Sequence, residues 1–387
     1  MKAQPIENYE SENEILRWFE KESIRKIEFP PDILNDTPTI SIDELIERKD
    51  HKIIDVRSSW EYQYDRIPGA LHFPILENEE RHKVGTIYKV LGRPEAIKAA
   101  LFFAKPKIKK LEKKLSTIKD SKISVYCWRG GGRSKYVYRL LAERGIDVYR
   151  IDGGYKRYRN FVFNYLENLD SKNLNFLRIC GLTGSGKSAL LKEVRTVHSQ
   201  RALDFEKLAN HYGSVFGHIP PLNKKMRIET PSQSRFESEL SQHLKRLLED
   251  DAIIYCEDEG ARIGKIHLPK QVLHSLKRSK AIWLETSLEK RIEYIRMDYF
   301  NTDLDQRSFK LFSEATLKLK RFLGKKLCEE LISLLEVQNY DRFIEILLSR
   351  HYDKKYSKAE SIKPVIKVNG DNIEEAAIEA VTKAASH

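Results

Sequence analysis

The sequence predicts an α/β protein made of two successive parallel-sheet units, the second running into a mainly helical carboxy-terminal part. Three observations carry this. Strand-sized apolar runs alternate with helix-length amphipathic segments, a polar stretch interrupts the alternation once, and each block places a glycine-rich loop directly after a strand-like run. At 387 residues the chain also exceeds what one ordinary hydrophobic core supports, so two domains are expected.

Residues 1–37 are charged, carry Pro30 and Pro31, and show no clean period, so they are read as an extension. The first block covers residues 38–160. In it HKIIDVR reads as a short buried strand and SSWEYQYDRIPGALHFP as a loop leading to another. The lysine-rich text from Glu77 to about Lys119 reads as helical. KISVYC is then a strand, RSKYVYRLLAERG a helix with Val137, Leu140 and Leu141 on one face and Gly145 as its stop, and DVYRIDGG a further strand. A linker over 161–175, polar at ENLDSKNLN, leads to a second α/β block over 176–300, with FLRIC, RALDF, AIIYCE and AIWLE as its strands. Residues 301–387 read as helical, and no internal repeat is found.

Composition narrows the class. No apolar run approaches the ~20 residues of a membrane span, and the start, MKAQPIENYESENEILRW, carries acids where a signal peptide has basic and apolar regions, so a cytoplasmic protein without a membrane is expected. The four cysteines stand apart with no CxxC pair, which argues against a zinc site and a disulfide framework. Lysine and arginine outnumber the acids 69 to 57, a net charge of +12 that favours a polyanionic partner such as RNA.

Two loops carry the chemistry. In YCWRGGGRS (Tyr126–Ser134), Cys127 ends a strand just before a helix, where open α/β sheets place ligands. Backbone N–H groups, the helix N-terminus, Arg129 and Arg133 all favour its thiolate, and Gly130, Gly131 and Gly132 allow close backbone approach. Cys127 is the catalytic candidate, with Trp128, Arg129, Gly130, Gly131, Gly132, Arg133 and Ser134 as its loop. Cys180, Cys256 and Cys328 lie in apolar strand or helix text and read as buried structural thiols.

The second loop, GLTGSGKS, fits G-x-x-x-x-G-K-[ST] between a strand and a helix. The backbone from Gly181 through Thr183, Gly184, Ser185 and Gly186 forms a nest for a diphosphate, Lys187 adds a point charge, and Ser188 can ligate Mg²⁺. Asp258 and Glu259, at the end of the strand IIYC, are candidates for a second metal contact, as are Asp204 and Glu206 after RALDF; which metal, if any, is left unknown. Arg291 and Arg296 read as a solvated helix face within reach of phosphate.

The first block resembles a rhodanese domain: IIDVR with Asp55 and Arg57, then Glu61, then IPGA, then the cysteine loop. Rhodaneses carry a transferable chalcogen on that cysteine. The spacing C-x5-R-S is also similar to cysteine phosphatases, although Tyr126 stands where many of those have histidine, and the loop alone leaves both open.

A rhodanese-like domain followed by a P-loop NTPase-like α/β domain, together with ENEERHKVGTIYK, IDGGYKRYR, LANHYGSVFG, TPSQSRFE, EDEGARIG and HYDKKY, resembles the tRNA 2-selenouridine synthase family over about residues 40–357. That resemblance implies a transferase that replaces the sulfur of wobble 2-thiouridine in tRNA with selenium from selenophosphate, through S-geranyl-2-thiouridine made with geranyl diphosphate. It makes Cys127 the catalytic thiol, with selenium held there as a perselenide as one hypothesis, and makes the P-loop a cradle for geranyl diphosphate rather than ATP. Selenophosphate and geranyl diphosphate are then cosubstrates, Mg²⁺ is an optional metal, no cofactor is tightly bound, and the partners are tRNA and a selenophosphate supplier. Lys105 to Lys114 and Lys156 to Arg159 are the expected tRNA contacts. The alternative is a rhodanese-fold cysteine phosphatase fused to a P-loop kinase-like module. The chain departs from the resemblance at Asp65 and Arg66, at Tyr212 and at Gly260.

Overall fold

A computed structural model describes residues 10–21, 23–29, 31, 35–48, 50–115, 121–170, 174–219, 230–248, 252–356 and 366–386. The chain divides into two compact units, Met1–Tyr165 and Leu166–His387. Among the described residues no helix is long and apolar enough to cross a membrane.

In the first unit the elements run α1 (Glu12–Lys21), β1 (Thr39–Ile40), α2 (Ile42–Glu47), β2 (His51–Asp55), α3 (Ser59–Tyr64), β3 (Leu71–His72), α4 (Asn78–Val90), α5 (Arg93–Ala104), α6 (Ile108–Leu115), β4 (Lys122–Tyr126), α7 (Gly132–Ala142), β5 (Val148–Ile151) and α8 (Gly154–Glu167). The sheet order is β1-β5-β4-β2-β3, and every pairing is parallel. A parallel strand covered on both faces is buried residue after residue, as Ile123, Ser124 and Val125 on β4 are. Register sets Asp55 opposite Tyr126, so the ends of β2 and β4 reach the same edge of the sheet.

Three segments here differ from the sequence expectation, and a fourth lies in the carboxy-terminal region. Part of the extension is structured: Ile15 and Phe19, four apart on α1, are fully buried with Ile24 against Ile87, Ala96 and Ala99 of α4 and α5. One apolar cluster, Ile15 to Phe19, in charged text is too brief a signal to read from periodicity. The run taken as a loop after β2 holds the short helix α3, started by the Glu61 carboxylate, which accepts from the Ser58 backbone N–H at 3.1 Å. The beginning of the expected linker completes α8, because Val162 and Leu166 continue the buried stripe begun by Tyr155 and Tyr158. Residues 116–119, expected as helix, lie outside the described residues.

The second unit contains β6 (Phe176–Gly181), α9 (Lys187–Thr196), β7 (Arg201–Leu203), α10 (Phe205–Ala209), α11 (Gln233–Leu247), β8 (Ile254–Glu257), a small antiparallel pair β9 (Arg262–Ile263) and β10 (Ile266–His267), α12 (Lys270–Arg278), β11 (Lys280–Glu285) and α13 (Leu288–Tyr299). Helices α14–α18 fill residues 306–356, packing Phe312, Leu331 and Phe343 with Phe216 and Phe300. The carboxy-terminal region is not wholly helical. Strand β12 (Ile366–Asn369) returns to the sheet, whose order is β12-β11-β6-β8-β7 with all pairings parallel. Helix α19 (Ile373–Ala384) then lays Ala376, Ala377 and Ala380 among Leu190, Leu191 and Val194 of α9. Only Ile366 and Val368 point inward from β12, too little alternation to announce a strand.

Candidate functional site

Cys127 follows β4, the middle strand of the first sheet, and is 3% exposed. Its Sγ lies 3.3 Å from Ser134 Oγ and 3.8 Å from the Gly131 carbonyl oxygen. Ser134 also reaches that carbonyl at 3.1 Å, so the hydroxyl proton can turn to either acceptor as the sulfur gains or loses charge. The loop is held from below by α8. Tyr155 N–H donates to the Cys127 carbonyl and Lys156 N–H to that of Trp128, both at 2.9 Å. This approach needs glycine at 154, where φ is +59° and a Cβ would stand 2.5 Å from Gly130 N. Arg150, buried on β5 and not anticipated from sequence, donates to the Gly130 carbonyl at 2.6 Å.

Arg133 does not point freely at the thiol. Its guanidinium makes two bonds to the buried Glu61 carboxylate, at 2.7 and 3.2 Å, and Arg81 of α4 adds a second cation at 3.3 Å. Burial pushes the Glu61 carboxyl up, yet Arg133, Arg81 and Arg57 outweigh it and hold the pKa at about 2. Beneath lies a fully buried network. Arg57 forms a fork with Asp55, donates to the Asp65 carbonyl at 2.6 Å, and stacks on Tyr155 at 4.1 Å. Tyr126 donates to Asp55 at 2.7 Å and accepts from Ile67 N–H, while Tyr155 donates to Asp65. Tyr126 and the departure at Asp65 are therefore structural partners of the loop. Trp128 packs on Tyr155, and Arg129 is exposed.

The second loop joins β6 to α9. Gly186 caps α9 at φ +90°, where a Cβ would meet Ile373 at 2.8 Å. Lys187 Nζ donates to the carbonyls of Gly181 and Leu182 at 3.0 and 3.1 Å, and the Ser185 hydroxyl is buried without a partner. Thr183 accepts from Arg291, and Arg291 also pairs with Asp353 of HYDKKY at 2.6 Å. Arg291 is thus a buried strut under the loop, not a solvated face; Arg296 does lie outside, paired with Asp341.

Asp258 leaves the acidic group. It pairs with Arg178 on the adjacent strand at 2.7 Å, while Glu257, Glu259 and Glu206 bring carboxylate oxygens within 4.8 Å of one another beside Ser188. The signal for Glu257 was the strand end itself: successive residues leaving β8 face opposite ways. Burial, then mutual repulsion, pushes all three carboxyls up, to about 8 for Glu206 and Glu257 and about 7 for Glu259. Glu257 Oε1 is buried with no partner, so the trio fits a divalent cation. LANHYGSVFG and EDEGARIG close beside this site, with the His211 ring packed on Gly217 and Gly264. Gly260 faces open space and Tyr212 meets Tyr299 edge-on, so neither departure disturbs the loop.

Known proteins match this arrangement. Residues 41–161 match the rhodanese-like domain profile, and residues 174–385, more than half the chain, match the profile described as the tRNA 2-selenouridine synthase AAA domain. A tRNA 2-selenouridine synthase from Nitrosomonas europaea is 37% identical over 272 residues, 68% of each chain. This chain belongs to the tRNA 2-selenouridine synthase family. Its counterpart in a Sulfurovum species is 32% identical over 332 residues, 79% of this chain and 87% of that one. Both chemical loops and the motifs that brace them fall inside the two profile matches.

Proposed function

We propose that this enzyme forms selenouridine in tRNA, replacing the sulfur of wobble 2-thiouridine with selenium from selenophosphate after geranyl diphosphate has alkylated that sulfur. The observation that carries the reading is Cys127, set at the end of the central strand in a fully braced loop, in a chain of this family. Alkylation turns a thiocarbonyl sulfur into a leaving group. Selenium then bonds to C2 as the C2–S bond breaks, geranylthiol leaves with a proton, and water opens the Se–P bond to release phosphate. Cys127 is assigned the proton that the departing sulfur takes, and hydrolysis returns it. The perselenide hypothesis loses support on electron count, because selenium moved to a thiolate would leave phosphorus reduced to phosphite.

The P-loop is assigned the diphosphate of geranyl diphosphate, with Lys187 leaving its own carbonyls for the ligand. A divalent cation at Glu206, Glu257 and Glu259 would offset both their repulsion and the charge of the diphosphate. Lys156 and Arg157, exposed at the start of the helix that braces the cysteine loop, suit the tRNA backbone. The lysine run is partly committed elsewhere, since Lys107 bonds to Glu80 and Lys114 sits over Phe73. The phosphatase alternative needs Arg133 to face a phosphoryl group, and its guanidinium faces Glu61 instead.

Nucleoside analysis of bulk tRNA from cells with and without the gene tests the reading. Loss of 2-selenouridine without the gene is expected; unchanged 2-selenouridine would overturn it. Tight ATP binding with tRNA-stimulated hydrolysis would overturn the assignment of the P-loop.

A further inference from the structure

The first unit contains a cavity of about 580 Å³ that the alkyl-transfer and selenium-transfer steps do not by themselves explain. Its walls are α4, α5 and the cysteine loop, its lining includes Val84, Ile97, Ala100, Leu101 and Trp128, and Cys127 forms part of it. A tetrahedral oxyanion would occupy a small part of such a space and would need polar partners, whereas these walls are mostly carbon. The polar groups stand around it: Lys89, Arg93 and Arg129 border the cavity, as does Arg81, which is held on Glu61. Such a site fits a ligand with an apolar chain at one end and polyanion at the other, and Cys127, only 3% exposed, can meet its reacting atom through this space.

Small residues keep the space open. A Cβ built on Gly85, in the middle of α4, or on Gly131, in the cysteine loop, would meet no atom within 4 Å. No positive φ requires glycine at 85, and the position borders the same cavity as Cys127.

We propose that this cavity houses the geranyl chain of S-geranyl-2-thiouridine, holding the alkylated sulfur and C2 of the base against Cys127 while the tRNA phosphates lie on the surrounding arginines and lysines. The inference rests on the proposed reaction and adds where the chain is held: in the rhodanese-like unit, apart from the P-loop that takes the diphosphate. Recognition by the chain makes the enzyme select alkylated over unalkylated tRNA, since burial of an apolar group is lost when the group is absent.

Anticodon stem-loop RNAs carrying S-geranyl- or S-methyl-2-thiouridine distinguish the outcomes. The full-length protein is expected to bind the geranyl RNA at least about tenfold more tightly than the methyl RNA, and to convert it to selenouridine with selenophosphate. Gly85→Phe, which fills the space, and Ile97→Asn, which makes a wall polar, should each shrink that ratio to about twofold or less. Thermal melting checks that both variants fold, and either folded variant suffices. A ratio that survives in folded variants, with conversion intact, overturns the cavity assignment alone. If the unsubstituted protein converts neither RNA, the proposed reaction itself falls and takes the inference with it.

Discussion

Around Cys127 the charges are already paired: Arg133 and Arg81 share Glu61, and Arg57 is locked to Asp55 beneath them. Around Lys187 they are not. Three carboxylates face one another, one of them with an orphaned oxygen, and the lysine turns back on the carbonyls of its own loop. Both loops follow the middle strand of a five-stranded parallel sheet, so the difference lies in what completes them. The thiol loop is braced by charges the protein itself supplies, as the proposed action on a passing base requires, whereas the acidic trio beside the P-loop has no such counter-charge paired with it among the described residues.

Removing the thiol is the strongest test of the first half of this contrast. Cys127→Ala should lower selenouridine formation from geranylated RNA by about 1000-fold while RNA affinity stays within about twofold, read by nucleoside analysis and filter binding. Equal conversion would show that the loop binds without reacting.

Removing the counter-charge comes next. Glu61→Gln leaves two cations against a neutral buried amide and should cost about 3 kcal/mol in urea unfolding. It should also change the acid limb of stability. The Glu61 carboxyl lies at about 2, below its ordinary 4.5, so the stabilisation it supplies is complete above pH 4.5 and is lost as pH falls toward 2. The gap between parent and variant should therefore narrow between pH 5 and pH 3; a constant gap would mean Glu61 is not the paired group.

On the other loop, Lys187→Ala should weaken geranyl diphosphate binding by about 10–100-fold, measured by calorimetry, yet leave conversion of supplied geranylated RNA nearly intact. Loss of both activities would erase the division of labour between the loops. A divalent cation should raise the melting temperature by about 2–4 °C, and Glu257→Gln should abolish the rise. At the small end, Gly260→Ser should change stability by less than about 0.5 kcal/mol, because open space surrounds that position.

The two α/β blocks, their strands and both loops were legible because local rules specify them: apolar runs of strand length, a glycine-lysine-serine ending before a helix, and a cysteine directly after a strand. Helix α1, strand β12 and the true end of α8 were not; Ile15 owes its order to Ala96 and Ile366 to Ile282, residues far away in the chain. Charge identity behaved the same way. Asp258 and Glu257 are neighbours in sequence and indistinguishable as acids, but the strand's alternation sends one to Arg178 and the other to Glu206 and Glu259. By itself the sequence determined the residues to which the proposed chemistry is assigned: the thiol, the nest and the family motifs. Only the tertiary structure decided which charges are spoken for, that Arg133 serves Glu61 and Arg291 the P-loop, and that an apolar cavity meets the thiol, because pairing and enclosed volume arise where distant segments pack.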